Sequence, residues 1–208
     1  GGSTYGRGDW WYGPKTIPRE RLQQMGKLSA RDREIESEKE GIRQGLLFPF
    51  TTSEGVYHCA GDKRLSSASP TLTFVSYSGA GGMNGEQSGL SVKSMSAIVN
   101  PSDKYVYVEE SDPRQYNMGS WIISMGAGSN WIDPVAPWHN DYSTLSWADG
   151  HATTKKWLSE NTKKAARNTV GTPSRPGTFS FGFYDKDNRD IMYMKEHYAT
   201  NRKSGNAL

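Results

Sequence analysis

The sequence has one cysteine, no long apolar run and little excess charge, and each shortage excludes a class of protein. A single cysteine, Cys59, cannot build an internal disulfide framework or a cysteine-based zinc site. No window approaches the roughly 18 consecutive apolar residues of a transmembrane helix, so we expect a soluble chain. A net charge of +3, with acids and bases interspersed, does not indicate a nucleic-acid-binding surface.

Aromatic and turn-forming residues are abundant instead. Seven Trp, eleven Tyr and six Phe accompany 23 Gly and ten Pro in 208 residues. This mixture is typical of short strands joined by tight turns around an aromatic core. We expect one domain of α+β class, in which helices on the N-terminal side pack on an antiparallel sheet.

The chain divides into four stretches of different character: an extended Gly-rich aromatic segment (1–16), a polar helical segment (17–45), a β-rich segment (46–157), and a short helix with a C-terminal extension (158–208). Helices are predicted over 18–28, 30–44 and 158–169, the second beginning at a capping box from Ser29 to Asp32. Short apolar runs between Gly, Ser and Asn clusters predict strands over 72–77, 104–109, 120–125, 142–148 and 151–157.

Asp149 and Gly150 lie between two β-prone runs and predict a hairpin. Asp-Gly favours a two-residue type I′ turn, because Gly accepts a positive φ freely and Asp tolerates one. In that register Trp147 faces Ala152 and Tyr142 faces Trp157. His139 and His151 would then lie at opposite ends of a strand about 20 Å long, too far apart to share a metal ion.

Other patterns offer only weak signals of chemistry. Oxygen ligands of the kind that calcium prefers are available from Glu109, Glu110, Asp112, Asp133 and Asp141. Their spacing does not match the 12-residue calcium loop, so solvated loop acids are the simpler interpretation and calcium the alternative. The Gly-rich stretch 78–85 lacks the lysine and helix of a phosphate loop and is interpreted as a flexible turn. His58 and Cys59 are adjacent and would point to opposite faces of a strand, so they form no catalytic dyad.

Two functions remain as alternatives on these residues alone. Exposed aromatic side chains of a β-domain can stack on sugars, and the candidates are Trp10, Trp11, Trp121, Trp131 and Trp138. His139-Asn140-Asp141 resembles the metal-binding motif of some nucleases, but a strand follows it where a nuclease needs a helix. A glycan-binding module is therefore the first alternative, and a metal-dependent hydrolase the second.

The order of several short motifs resembles a protein family. His139, nine residues and Asp149-Gly150 resemble the C-terminal H-x9-D-G signature of type IV pilin-like proteins, which include the pseudopilins of type II secretion. Three upstream segments resemble the family's aromatic-Cys-Pro-Ser-Asp, Ser-Tyr-Gly/Asn and Ser-Pro-acidic regions: Val56 to Cys59 with Asp62, Ser76 to Gly79, and Lys93 to Ser102 followed by Val106 to Glu110. The matches cover residues 56–157 in the family's order.

The resemblance implies a structural subunit, not an enzyme, whose partners are its own copies, other pseudopilins and the secretion or pilus machinery. It implies a prepilin-type N-terminal helix, with its cleavage and methylation site, that forms the filament core outside this chain and supplies the only membrane contact. The domain would face outward, in the periplasm or at the bacterial cell surface, where a secreted substrate or a glycan can meet it. His139, Asp149 and Gly150 would be a structural motif, and Cys59 would form a disulfide with a cysteine outside this chain.

Overall fold

The structure is a computed structural model that describes residues 19–66, 74–84, 90–111, 119–125, 131–167 and 189–200. Helices and a five-stranded sheet make the fold α+β. The chain divides into two compact units, Gly1–Ser76 and Tyr77–Leu208, and the single-domain expectation stays a prediction. Within the described ranges, no helix has the length and apolar character needed to cross a bilayer. The predicted extended segment 1–16 and the end of the chain after residue 200 lie outside them.

The first unit is helical, as the sequence predicts. Its elements are α1 (Arg19–Met25), α2 (Ala30–Arg43), α3 (Phe48–Thr51) and a 3₁₀ turn (Glu54–Tyr57). The cap of α2 is confirmed, because the Ser29 hydroxyl accepts a hydrogen bond from the Asp32 backbone nitrogen at 3.1 Å. Ile42 on α2 is fully buried, whereas Arg43 extends from the last turn to Glu40 and Glu54.

The second unit is built on a mixed sheet with the strand order β3-β1-β2-β4-β5. The strands are β1 (Tyr77–Ala80), β2 (Tyr105–Glu109), β3 (Ser120–Trp121), β4 (Tyr142–Trp147) and β5 (Ala152–Lys156). Neighbours are antiparallel except β1 and β3, which are parallel, so the prediction of a wholly antiparallel sheet is wrong. Strands predicted over 104–109, 142–148 and 151–157 are confirmed to within a residue or two.

The structure differs from the prediction at the two other strands. The strand predicted over 120–125 is reduced to β3 and an isolated bridge at Ile123. The strand predicted over 72–77 is wrong in its described part, because residues 74–76 are not in a strand and β1 begins only at Tyr77. Phe74 N and Val75 O bind side chains of the first unit and Ser76 N binds the Tyr57 carbonyl, so these groups are not available to a sheet partner.

The core of the second unit is aromatic. Trp121, Trp131 and Trp157 are almost fully buried, with neighbouring rings packed edge to face at about 6 Å between centroids. Helices α5 (Glu160–Arg167) and α6 (Arg189–Glu196) belong to the same unit, and the sequence predicts only the first. The phenol of the buried Tyr105 donates a hydrogen bond to the Met194 carbonyl at 3.0 Å, which joins β2 to α6.

The hairpin of β4 and β5 is present, but its register differs from the prediction by one residue. Ser146 pairs with Ala152, and Tyr142 pairs with Lys156. Gly150 alone of the turn residues has a positive φ, at 97°, so the turn is not type I′. Gly150 N donates to Trp147 O, and Trp147 N to His151 O, both at 2.9 Å, which makes a three-residue loop with a glycine bulge.

The Gly-rich stretch predicted to be a flexible turn begins as β1 and then turns into a short helix, α4 (Gly81–Asn84). Gly81 and Gly82 are both buried. A Cβ on Gly82 would collide with the Ala199 backbone oxygen and lie 2.9 Å from the Tyr198 ring. These glycines are therefore required by close packing, and the prediction of a flexible turn is wrong for the described residues.

Candidate functional site

His139, the first residue of the H-x9-D-G signature, contacts a buried carboxylate on the neighbouring strand β2. Its Nε2 lies 3.1 Å from Oε1 of Glu109, whose side chain is fully buried. The other carboxylate oxygen, Oε2, accepts a hydrogen bond from the Thr144 backbone nitrogen of β4 at 2.9 Å. Glu109 therefore connects the signature histidine to the backbone of the strand that follows it.

A tight turn positions His139 for this contact. His139 and Tyr142 exchange two backbone hydrogen bonds of 3.3 Å, and the residues between them, Asn140 and Asp141, have φ values of 56° and 69°. Two positive φ values in a two-residue loop are the hallmark of a type I′ turn. The turn type predicted at Asp149-Gly150 thus occurs nine residues earlier, where Asn and Asp are the side chains that best tolerate it.

The end of the signature is an exposed turn. Nδ1 of His151 donates a hydrogen bond to Oδ1 of Asp149 at 2.6 Å, which lowers the pKa of the Asp149 carboxyl. The His151 ring also stacks on Trp147, with 5.5 Å between centroids and 5° between planes. His139 contacts Glu109 whereas His151, which follows the signature, contacts Asp149, so each of the two histidines has its own carboxylate.

The acids proposed as calcium ligands are distributed among separate structural roles. Asp133 is buried and accepts a hydrogen bond from Ile122 N at 2.7 Å, and Asp141 forms an ion pair with Lys163 at 3.4 Å. Glu110 is buried in a β-bridge with Val135, and Asp112 lies outside the described residues. Within the described part of the chain, no three of these acids converge on one point. Calcium binding stays a prediction.

In the first unit, the motif around Cys59 and Asp62 is a tight turn that ends in a buried carboxylate. Asp62 N donates to Cys59 O at 2.9 Å and closes the turn. The Asp62 carboxylate receives two hydrogen bonds from the Arg64 guanidinium, Nε to Oδ1 at 3.0 Å and a terminal nitrogen to Oδ2 at 2.7 Å. Ser76 Oγ donates to the same Oδ2 at 2.7 Å.

His58, Asp62 and Ser76 lie close together, but their hydrogen bonds do not form a proton relay. Nδ1 of His58 lies 2.7 Å from the Phe74 carbonyl oxygen, which can only accept, so Nδ1 carries a proton. Ser76 Oγ lies 3.3 Å from that nitrogen and gives its own proton to Asp62. The histidine therefore cannot take the serine proton at Nδ1, and the three side chains hold backbone in place.

Cys59 is buried in the same turn. Its backbone nitrogen donates to Ser76 Oγ at 2.9 Å, and its Sγ accepts a hydrogen bond from Gly61 N at 3.3 Å. Its disulfide to a residue outside this chain stays a prediction.

The tryptophans proposed to bind sugars occupy different environments. Trp121 and Trp131 are at most 2% exposed, so their faces pack in the core, and the proposal that they stack on sugars is wrong. Trp138 is half-buried, and Trp10 and Trp11 lie outside the described residues. The glycan-binding alternative thereby loses two of its five candidate residues.

Two buried acids were missed by the sequence analysis. Glu38 on α2 accepts a hydrogen bond from Phe74 N at 2.7 Å, although 36 residues separate them. Asp190 on α6 is fully buried and accepts from Leu158 N and Ser159 N, the two residues before α5. Neither lies in a recognisable motif; the only signal in the sequence is an acid in a helix that also carries apolar residues.

Comparison of the chain with protein-family models, curated proteins and solved structures gives no match.

Proposed function

We propose that this protein is a structural, pilin-like subunit without catalytic activity, whose globular domain faces outward from a type II secretion or type IV pilus-like filament. The observation that carries the proposal is the contact between His139 and Glu109. It gives the histidine of the H-x9-D-G signature a scaffolding role, because Glu109 in turn holds the backbone of β4. A motif that fixes the fold is what an assembly subunit requires.

The upstream motif supports the same proposal. Asp62, Arg64 and Ser76 form a hydrogen-bonded group whose members bind one another and the backbone, with Asp62 and Ser76 buried and Arg64 half-buried. Charged groups buried in this way stabilise one arrangement of the chain against others. The motifs that carry the family resemblance are thus engaged in holding structure in both compact units.

Exposed apolar side chains provide a second kind of support. Phe50 is 85% exposed and Leu46 67%, and the first unit also exposes Val56 and Leu22. The second unit exposes Met95, Val99, Leu158 and Met192. Contacts between subunits of a filament bury apolar groups of this kind. The expected partners are further copies of the chain, other pseudopilins and the secretion or pilus machinery, in the periplasm or at the cell surface.

The test is fractionation of bacteria that produce the full-length protein with a C-terminal epitope tag. Filaments are sheared from cells with and without an active prepilin peptidase, and the tagged protein is quantified in each fraction. We expect it in the sheared fraction only when the peptidase is active, with a methylated N-terminus by mass spectrometry. Equal recovery from both strains, outside any filament, would refute the proposal.

A further inference from the structure

Residues 74–76, which we call the strap, are held in the first unit by ionisable side chains. Phe74 N donates to Glu38 Oε2 at 2.7 Å, and Val75 O accepts from the Arg64 guanidinium at 3.0 Å. Ser76 Oγ donates to Asp62 Oδ2 at 2.7 Å. Two carboxyl groups, one at each end, therefore help to hold the strap, together with the Tyr57 carbonyl, which accepts from Ser76 N, and the His58 ring at Phe74 O.

The two carboxyl groups differ in their counter-charges. Asp62 is buried and receives the Arg64 guanidinium on both oxygens, so its negative charge is compensated. Glu38 is also buried, at 9% exposure, but among the described residues no lysine, arginine or histidine forms an ion pair with it. An uncompensated charge in such a position is costly, whereas a neutral acid can still accept the Phe74 hydrogen bond.

The electrostatics of Glu38 agree with this geometry. Burial raises the pKa of the Glu38 carboxyl to about 7, and the neighbouring charge of Glu34 adds to the effect. The hydrogen bond from Phe74 and the positive charge of Arg64 act in the opposite direction and are outweighed.

We propose that the strap is a pH-operated latch, which protonated Glu38 closes on Phe74 and which loosens when Glu38 loses its proton. The Ser76 end of the strap stays bound when the Phe74 end loosens. Arg64 compensates the charge of the Asp62 carboxylate, which accepts the Ser76 hydrogen bond. The latch is a property of the first unit and is independent of the pilin-like function proposed above.

Three other charged or ionisable side chains lie around the latch. Glu34 lies one turn earlier on α2, and the Lys39 ammonium lies 5.0 Å from the centre of the Phe74 ring. His58 stacks on the same ring and binds Phe74 O through Nδ1. Because the Phe74 carbonyl can only accept, Nδ1 is the donor of that bond.

The test is hydrogen exchange of the Phe74 amide in the 208-residue chain, measured by NMR between pH 4.5 and 8.5 and corrected for the intrinsic pH dependence of exchange. An open state with an ordinary carboxyl releases its proton before the closed state does. We therefore expect the opening equilibrium to rise about tenfold per pH unit between pH 5 and 7, about a hundredfold in total, and then to level off.

Three variants accompany the wild type. Glu38→Gln keeps a carbonyl acceptor and does not titrate, so its corrected exchange should be flat over the same range. Glu20→Gln, an exposed residue of α1, is the matched control and should retain the wild-type profile. Asp62→Asn should raise exchange of the strap at every pH without changing the slope that Glu38 imposes.

A direct titration keeps the test valid if a variant fails to fold. The Glu38 side-chain carboxyl carbon, followed by ¹³C NMR in the wild type, should report a pKa of about 7. An ordinary titration midpoint for that carbon, a flat wild-type exchange profile, or an unchanged slope in Glu38→Gln would each overturn the latch.

Discussion

Nε2 of His139 lies 3.1 Å from Oε1 of the fully buried Glu109, and the other oxygen of that carboxylate holds the Thr144 amide of β4. One side chain of β2 thus fixes both the turn before β4 and the strand itself. The contact joins residues 30 positions apart in the sequence, so it adds a non-local restraint to a turn that is otherwise locally determined.

Replacing His139 by Ala should destabilise the protein by about 2 kcal/mol, because the buried Glu109 carboxylate then loses a hydrogen-bond partner. The expected destabilisation is moderate because the His139 side chain is 42% exposed, so water can partly replace the imidazole as a partner of Glu109. Urea unfolding followed by circular dichroism measures the difference. The control is His151→Ala at the exposed hairpin turn, which should change stability by less than about 0.5 kcal/mol. Equal losses in both variants would contradict a special role for the Glu109 contact.

The turn before β4 predicts how substitutions at Asn140, whose φ is 56°, rank in their effect on stability. Asn140→Ala should cost about 1 kcal/mol, because a Cβ disfavours the left-handed region and Ala lacks the polar side chain of Asn. Asn140→Gly should leave stability within about 0.5 kcal/mol of the wild type, because glycine adopts this φ without strain. Thermal unfolding of the two variants provides the comparison, and an Ala variant as stable as the Gly variant would be inconsistent with a type I′ turn.

Gly82→Ala should destabilise the second unit by about 3 kcal/mol, because the added methyl group would occupy space held by the backbone of Ala199. Backbone cannot move aside as a flexible side chain can. Gly55→Ala is the control, since its Cβ would meet only Ser53 Oγ at 3.6 Å, an ordinary contact. Denaturant midpoints of the two variants should therefore differ clearly, and similar midpoints would show that residues 198–199 adapt to the methyl group.

The stability of the protein should depend on pH through Glu38. The pKa of this carboxyl in the folded state is about 7, above its ordinary value of 4.5, so the folded state holds the proton longer. The resulting stabilisation is fully present below about pH 4.5 and is lost as the pH rises to about 7, a total of about 3 kcal/mol. The free energy of unfolding of the wild type, minus that of Glu38→Gln at each pH, isolates this contribution. A difference that does not change between pH 4.5 and 7 would rule it out.

Local signals in the sequence predict three of the helices (α1, α2 and α5) and three of the five strands (β2, β4 and β5). Ser29 and Asp32 mark the start of α2 because the cap needs only residues three positions apart. The strand of Tyr105 to Glu109 and the hairpin of β4 and β5 also follow from short-range patterns. These features depend on neighbours in the chain, which the sequence displays directly.

The hairpin register was harder to predict, because Asp-Gly fits both a two-residue and a three-residue loop. The choice between them depends on which side chains the sheet buries. In the observed register, Trp157 lies beyond the Tyr142–Lys156 pair, and its indole nitrogen donates to the buried Ser143 hydroxyl at 2.7 Å. That contact requires the rest of the core, so no rule confined to residues 142–157 reveals it.

The candidate site was predictable only in part. The signature identifies His139, and the oxygen ligands of Glu109 make it a calcium candidate, but nothing in either segment indicates that the two side chains meet. The role of Glu38 is harder still to predict, because Glu38 lies in a polar helix and its partner Phe74 follows 36 residues later. Long-range hydrogen bonds of buried acids are set by the tertiary fold, and the sequence contains no local trace of them.

The order of the strands also sets the order in which the sheet can be completed. β4 and β5 are separated by only four residues and can pair as soon as both are synthesised, whereas β1 must wait for β3, about forty residues further along the chain. With only two residues, β3 gains little from pairing until the aromatic core around Trp121 has closed. We therefore expect folding of this unit to begin at the hairpin and to end at the edge formed by Ser120 and Trp121.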